Sequence, residues 1–148
     1  KEAALKSIKP HFEKLKNMRV SEVMTAPVVC ASPDSSAHDI LKKLENCNFT
    51  GLPIVDDKAI LGIVSEKDII QLFLQGKNLR AVLAKDFMEP NVITADKNSY
   101  VLPSVKALIE NQILRLPITY QGRLVGILTR HDILKIILDT NPEFSIIP

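Results

Sequence analysis

Shifted by 64 residues along itself, the sequence lays residues 20–74 onto residues 84–138 without a gap. Met24 meets Met88, Val28 meets Val92, Ala31 meets Ala95 and Ser35 meets Ser99. Further on, Leu52-Pro53-Ile54 meets Leu116-Pro117-Ile118, Gly62-Ile63 meets Gly126-Ile127, Asp68-Ile69 meets Asp132-Ile133, and Leu74 meets Leu138. Chance does not preserve Leu-Pro-Ile, Gly-Ile and Asp-Ile in one register, so the chain is two copies of one unit.

Each copy reads locally as strand, helix, hairpin, helix. A β-prone run, Val28–Ala31 or Val92–Ala95, ends at polar turn residues and a Ser able to cap the next segment. Apolar residues at Ala37, Ile40, Leu41 and Leu44 then follow helical spacing, matched by Val101, Val105, Leu108 and Ile109. Pro103 falls in a first turn, where a missing N–H costs little. Leu52–Val55 and Ile60–Val64 flank a turn at Asp56-Asp57-Lys58; Leu116–Thr119 and Leu124–Leu128 flank Gln121-Gly122-Arg123, so each pair predicts a hairpin. The closing helices open at Ser65 and Thr129. After Asp68 and Asp132, five of the next six residues are apolar in both copies, more than one covered face requires.

Composition excludes several classes. With 46% apolar and 24% charged residues among 148, the chain can bury a real core. Residues 1–19 carry six basic and two acidic side chains, whereas the rest carries thirteen basic and fifteen acidic. A basic face is thus confined to an N-terminal extension, and with five Phe, two Tyr and no Trp for stacking, nucleic acid is not the expected partner. Two cysteines, Cys30 and Cys47, supply neither a disulfide framework nor a C-x-x-C metal or redox pair, and we read them as small buried hydrophobes. That usage points to a reduced, cytoplasmic compartment. No apolar run approaches the roughly 18 residues of a membrane span, and the start, Lys1-Glu2-Ala3-Ala4-Leu5, leads us to expect a processed or excised piece of a longer protein.

The segment that carries chemistry is Gly62-Ile-Val-Ser65-Glu-Lys-Asp68, echoed by Gly126-Ile-Leu-Thr129-Arg-His-Asp132. A strand feeding a helix through Ser or Thr, with a carboxylate three residues on, gathers backbone N–H groups, a hydroxyl and an anion at one helix N-terminus. A phosphate can take the N–H groups and hydroxyl; a carboxylate accepts both hydrogens of a ribose cis-diol. The same Ser-x-x-Asp also resembles a capping box, in which the fourth residue only satisfies the backbone. His11, His38 and His131 lack metal-ligand spacing, and no nucleophile elbow, P-loop or Gly-x-Gly-x-x-Gly is present, so no catalytic or metal residue is assigned and an enzyme is not expected.

On Gly62, Ser65 and Asp68, Gly126, Thr129 and Asp132, and the pairs Met24…Val28 and Met88…Val92, the repeat resembles the CBS domain, named for cystathionine β-synthase, and the tandem resembles a CBS pair or Bateman module. The resemblance implies an α/β (α+β) fold of two pseudo-twofold-related β-α-β-β-α repeats in one compact module. The division is an extension at 1–17, repeat one at 18–75, a linker at 76–83, repeat two at 84–140 and a tail at 141–148. It also implies a regulatory module that binds AMP, ADP or ATP, ahead of S-adenosylmethionine or NAD, in one or two clefts and controls a partner; a ligand-free dimerisation scaffold is the alternative. No cofactor is required. Asp68 and Asp132 would bind ribose, and Ser65, Thr129, Arg115, Lys67 and His131 phosphate. One cleft would combine Ser65, Lys67 and Asp68 with Pro90, Asn91, Val92, Leu114, Arg115 and Leu116. The other would combine Thr129, His131 and Asp132 with Ala26, Pro27, Val28, Thr50, Gly51 and Leu52. The resemblance, with the apolar closing helices, further implies a homodimer through Ile69, Ile70, Phe73, Ile133, Leu134 and Ile137.

Overall fold

A computed structural model describes residue 13 and residues 15–140. Most of the N-terminal extension and all of the C-terminal tail expected from the sequence lie outside the described residues. The chain folds into two compact units. One joins residues 29–93 with 121–124; the other joins the described residues up to Val28 with 94–120 and the described residues from Val125 on.

In the first unit, Ser36 caps α1 (Ala37–Cys47) by accepting from Asp39 N, and Asn48 closes it in the left-handed region at φ 55°. Ala37, Ile40 and Leu44 form the buried stripe, while Leu41 sits at its exposed edge. β1 (Gly51–Asp56) then pairs antiparallel with β2 (Ala59–Ser65), from Gly51 opposite Ser65 to Asp56 opposite Ala59, with an irregularity between Ile54 and Val55. The two-residue turn places both Asp57 (φ 47°) and Lys58 (φ 68°) in the left-handed region, the geometry that matches strand twist. α2 (Glu66–Leu74) leaves β2 directly, and a short α3 (Ala84–Phe87), absent from the sequence expectation, follows the linker. Ala31, Ile40, Leu44, Leu52, Ile54, Val64, Ile69 and Ala84 make the core.

The second unit repeats this plan. A 310 turn (Val20–Glu22) precedes β3 (Ala95–Asp96), α4 (Val101–Glu110), β4 (Arg115–Tyr120), β5 (Arg123–Thr129) and α5 (Arg130–Thr140). β4 lies between β3, which runs parallel to it, and β5. Gln121 (φ 51°) and Gly122 (φ 79°) make the second hairpin turn. Val20, Val101, Leu108, Leu116, Ile118, Leu128 and Ile136 form its core, and Ile109 of the expected helix stripe is exposed instead.

The mixed helix-and-strand class therefore holds, with two differences of detail. The expected first strands shrink to Ala31 alone, bridged to Ile54, and to Ala95–Asp96. Val29 and Ile93 are exposed, so these two side chains do not hold the preceding run against the sheet. The second difference is an exchange. The segment that opens each sequence repeat packs on the other: Arg19 bridges Tyr100 and Thr25 bridges Ile127, while Leu83 bridges Ser36 and Glu89 bridges Ile63. Its physical basis is a glycine at each crossing. A Cβ on Gly126 would overlap Met24, and one on Gly62 would stand 2.7 Å from Met88 Sδ, so only hydrogen at these two positions admits the methionine.

The closing helices correct the expected dimer surface. Ile69 is 2% exposed within its own core, so it is not a surface contact, while Ile133 is half-buried where it packs against the second core. Phe73 (69%), Leu74 (76%) and Ile70 on α2, and Leu134 (60%), Leu138 and Ile137 on α5, stay exposed. Cys30 is half-buried and Cys47 exposed, so they are not the buried pair expected. Among the described residues no helix is long and apolar enough to cross a membrane.

Candidate functional site

The two helix N-termini that carry the Ser/Thr-x-x-Asp segment are built alike. Ser65 leaves β2 extended and caps α2: its Oγ accepts from Asp68 N at 3.3 Å. In return Asp68 Oδ2 accepts from Ser65 N at 3.0 Å and from Ser65 Oγ at 2.9 Å. In the second unit Thr129 Oγ1 accepts from Asp132 N at 3.2 Å, and Asp132 Oδ2 accepts from Thr129 N at 2.9 Å and from Thr129 Oγ1 at 3.1 Å. Both are reciprocal capping boxes, and both carboxylates are half-buried. The box fixes each carboxylate at the positive end of its helix and leaves Oδ1 outside it.

Around Asp68, the structure places Lys67 exposed on the first turn of α2, and Pro90, Asn91 and Val92 in the same unit, just beyond the Glu89–Ile63 bridge. Thr50 and Gly51 also stand here: the Thr50 carbonyl accepts from Glu66 N at 2.9 Å, and Gly51 pairs with Ser65. Around Asp132, His131 is exposed on the first turn of α5, and Ala26, Pro27 and Val28 follow the Thr25–Ile127 bridge in the same unit. Leu114 lies beside this helix start, its carbonyl 3.4 Å from Arg130 N, and the half-buried Arg115 opens β4. The structure thus brings Thr50 and Gly51 to the helix of Asp68, and Leu114 to that of Asp132. Leu52 and Leu116 are fully buried in their own cores, so only their backbone could face a ligand.

Two features escape a reading by motif. Thr25 Oγ1 donates to Asp132 Oδ1 at 3.0 Å, across 107 residues of sequence. Its counterpart in the repeat is Glu89, whose Oε1 accepts from Asn91 N at 2.9 Å. The second unit also holds a cavity of about 400 Å3 that reaches Thr25 and Asp132, lined further by Met18, Glu22, Val23, Met24, Lys135, Ile136 and Asp139. The helical spacing of Asp132, Lys135, Ile136 and Asp139 was the one available signal, since it puts all four on a single face of α5.

The model of the CBS domain matches the chain twice, over residues 20–75 and 84–139. The chain belongs to the CBS domain family. An uncharacterized protein of Methanopyrus kandleri is 35% identical over 125 residues; the match covers 82% of this chain and 64% of that protein, so the chain spans less than two thirds of this relative's length. Among solved structures, the CBS domain pair of protein MJ0100, in complex with 5′-methylthioadenosine and S-adenosyl-L-methionine, is 28% identical with a TM-score of 0.72, covering 81% of this chain and 95% of that one. CBSX2 in complex with AMP is 26% identical with a TM-score of 0.73, covering 83% and 98%. The family accounts for why the capping boxes come in a pair, and a CBS pair is a mixed α and β fold of the kind described above.

Proposed function

We propose that this CBS pair is a regulatory module, not an enzyme, that binds an adenosine ligand at the helix N-termini of Asp68 and Asp132 and passes the binding on to a partner domain or protein. The observation that carries the reading is the duplicated box. In both units one carboxylate oxygen is locked by Ser65 or Thr129 while the other stands outside the box. Two carboxylates boxed alike at helix starts suit the hydroxyls of a ribose. Lys67 and His131 stand close enough in sequence to each carboxylate to serve a phosphate, whereas the one hydroxyl hydrogen of Ser65 and of Thr129 is already given to its box, and Pro90–Val92 and Ala26–Val28 supply walls from the same unit. The solved relatives in complex with AMP, or with 5′-methylthioadenosine and S-adenosyl-L-methionine, support the ligand class; within that class our reading puts AMP, ADP and ATP ahead of other adenosine derivatives.

A thermal-shift panel of AMP, ADP, ATP, 5′-methylthioadenosine and S-adenosylmethionine tests it. A compound at about 100 times its Kd that binds only the folded chain adds about 2.7 kcal/mol. A midpoint unmoved by every compound would favour a second reading, a ligand-free scaffold. That reading rests on the boxes too, because capping alone gives Asp68 and Asp132 a structural use.

Self-association is part of the proposal. Each closing helix exposes three large apolar side chains, Ile70, Phe73 and Leu74 on α2 and Leu134, Ile137 and Leu138 on α5. Apolar surface of this size on a helix is a contact surface in the making.

A further inference from the structure

The two carboxylates share a capping box but not a neighbour. Thr25 and Ile127 exchange both backbone hydrogen bonds, at 2.9 and 3.0 Å, and Glu89 and Ile63 exchange theirs at 2.9 and 3.0 Å. Thr25 and Glu89 therefore hang from equivalent points, each bonded to the strand two residues before the capping Ser65 or Thr129. From its point Thr25 donates to Asp132 Oδ1. Glu89 brings a carboxylate, which has no donor to give, and its Oε1 is held instead by Asn91 N. Among the described residues no hydrogen bond reaches Asp68 Oδ1.

The difference leaves the two carboxylates with unequal numbers of open acceptor positions. A carboxylate offers about four lone-pair sites, two on each oxygen. Oδ2 of both residues already accepts two hydrogens within the box. Asp68 keeps both sites on Oδ1, whereas Asp132 has one filled by Thr25 and keeps one. We propose that Asp68 can accept both hydroxyls of a ribose cis-diol and Asp132 only one, and that the residue after each leading methionine, Glu89 or Thr25, sets this difference. Thr25 is thus a specificity-determining residue that acts through Asp132. The inference rests on the ribose-binding reading above and goes beyond it by making the sites unequal.

The test compares adenosine with 2′,3′-dideoxyadenosine by titration calorimetry, with Asp132→Asn isolating the Asp68 site and Asp68→Asn isolating the Asp132 site. Asparagine keeps a carbonyl oxygen for the N–H of the box, so each variant retains its cap, which circular dichroism checks. Each lost hydrogen bond to a carboxylate costs about tenfold. We expect about a 100-fold preference for adenosine at the Asp68 site and about tenfold at the Asp132 site. Adding Thr25→Ala to Asp68→Asn should raise the second preference toward 100-fold, and Thr25→Ser, which restores the hydroxyl, should leave it near tenfold. A change that only loosened the fold would weaken both nucleosides alike and leave the ratio unmoved. Equal preferences at the two sites, or a ratio indifferent to Thr25→Ala, would overturn the inference while leaving ligand binding intact; an unsubstituted chain that binds no adenosine compound would overturn the ribose-binding reading itself.

Discussion

Replacing Gly126 by alanine tests the exchange of leading segments at its tightest point. The new Cβ would stand 2.8 Å from Met24 Cγ and closer still to Sδ, where ordinary contact begins at 3.4 Å. The strand cannot back away, because Thr25 and Ile127, the next residues on each side, are closed by two hydrogen bonds. Met24 must therefore swing off the second core, which it partly covers. Overpacking of this kind costs about 1–3 kcal/mol, and since a methionine can rotate we expect about 2. At roughly 2–4 °C per kcal/mol for a chain of this size, the midpoint should fall by about 6 °C. Gly62→Ala should cost more, about 3 kcal/mol, because its Cβ also meets the Glu89 carbonyl at 2.9 Å, and backbone bonded on both sides cannot rotate aside. Urea unfolding of a double-mutant cycle decides the matter. Met24→Ala should offset Gly126→Ala by at least about 1 kcal/mol, Met88→Ala should offset Gly62→Ala less completely, and Met24→Ala should be additive with Gly62→Ala to within about 0.5 kcal/mol. Additivity of Met24 with Gly126, or coupling of Met24 to Gly62, would refute the exchange.

Gly122→Lys should destabilise by about 1 kcal/mol through strain at φ 79°, since nothing lies within 4 Å of the new Cβ; an unchanged urea midpoint would contradict that. Asp68→Ala should cost about 1 kcal/mol more in thermal unfolding than Asp68→Asn, because only alanine empties the box; equal costs would show that the box contributes nothing. Phe73→Glu combined with Leu134→Glu should convert a particle of twice the chain mass into a single chain by light scattering, and an unsubstituted chain that is monomeric at high concentration would remove the proposed dimer.

The 64-residue period made most of the fold legible, because key matched positions have a mechanical reason. Gly62 and Gly126 admit a methionine, and Ser65 and Thr129 cap a helix. The hairpins were readable from turn residues, and the helices from apolar spacing. What the period concealed is which copy a segment serves: similarity pairs Met24 with Met88, but packing pairs Met24 with Gly126. Ile69 was misplaced for a related reason, since a run apolar on nearly every position does not say which side chain faces inward. At the site, Asp68 and Asp132 were legible as a motif. Thr25 was not, because its bond to Asp132 spans 107 residues and nothing local marks it.

Calorimetry of the unsubstituted chain beside the Asp68→Asn/Asp132→Asn double variant measures most directly whether both boxed carboxylates read a ribose, with AMP, ATP, 5′-methylthioadenosine and S-adenosylmethionine titrated in turn. We predict saturable binding of at least one of these compounds to the unsubstituted chain, and binding at least about tenfold weaker in the double variant, whose capping boxes and circular dichroism persist. Binding of equal strength in the two proteins would contradict the assignment of Asp68 and Asp132 to the ligand, and silence of the unsubstituted chain toward all four would contradict the function itself.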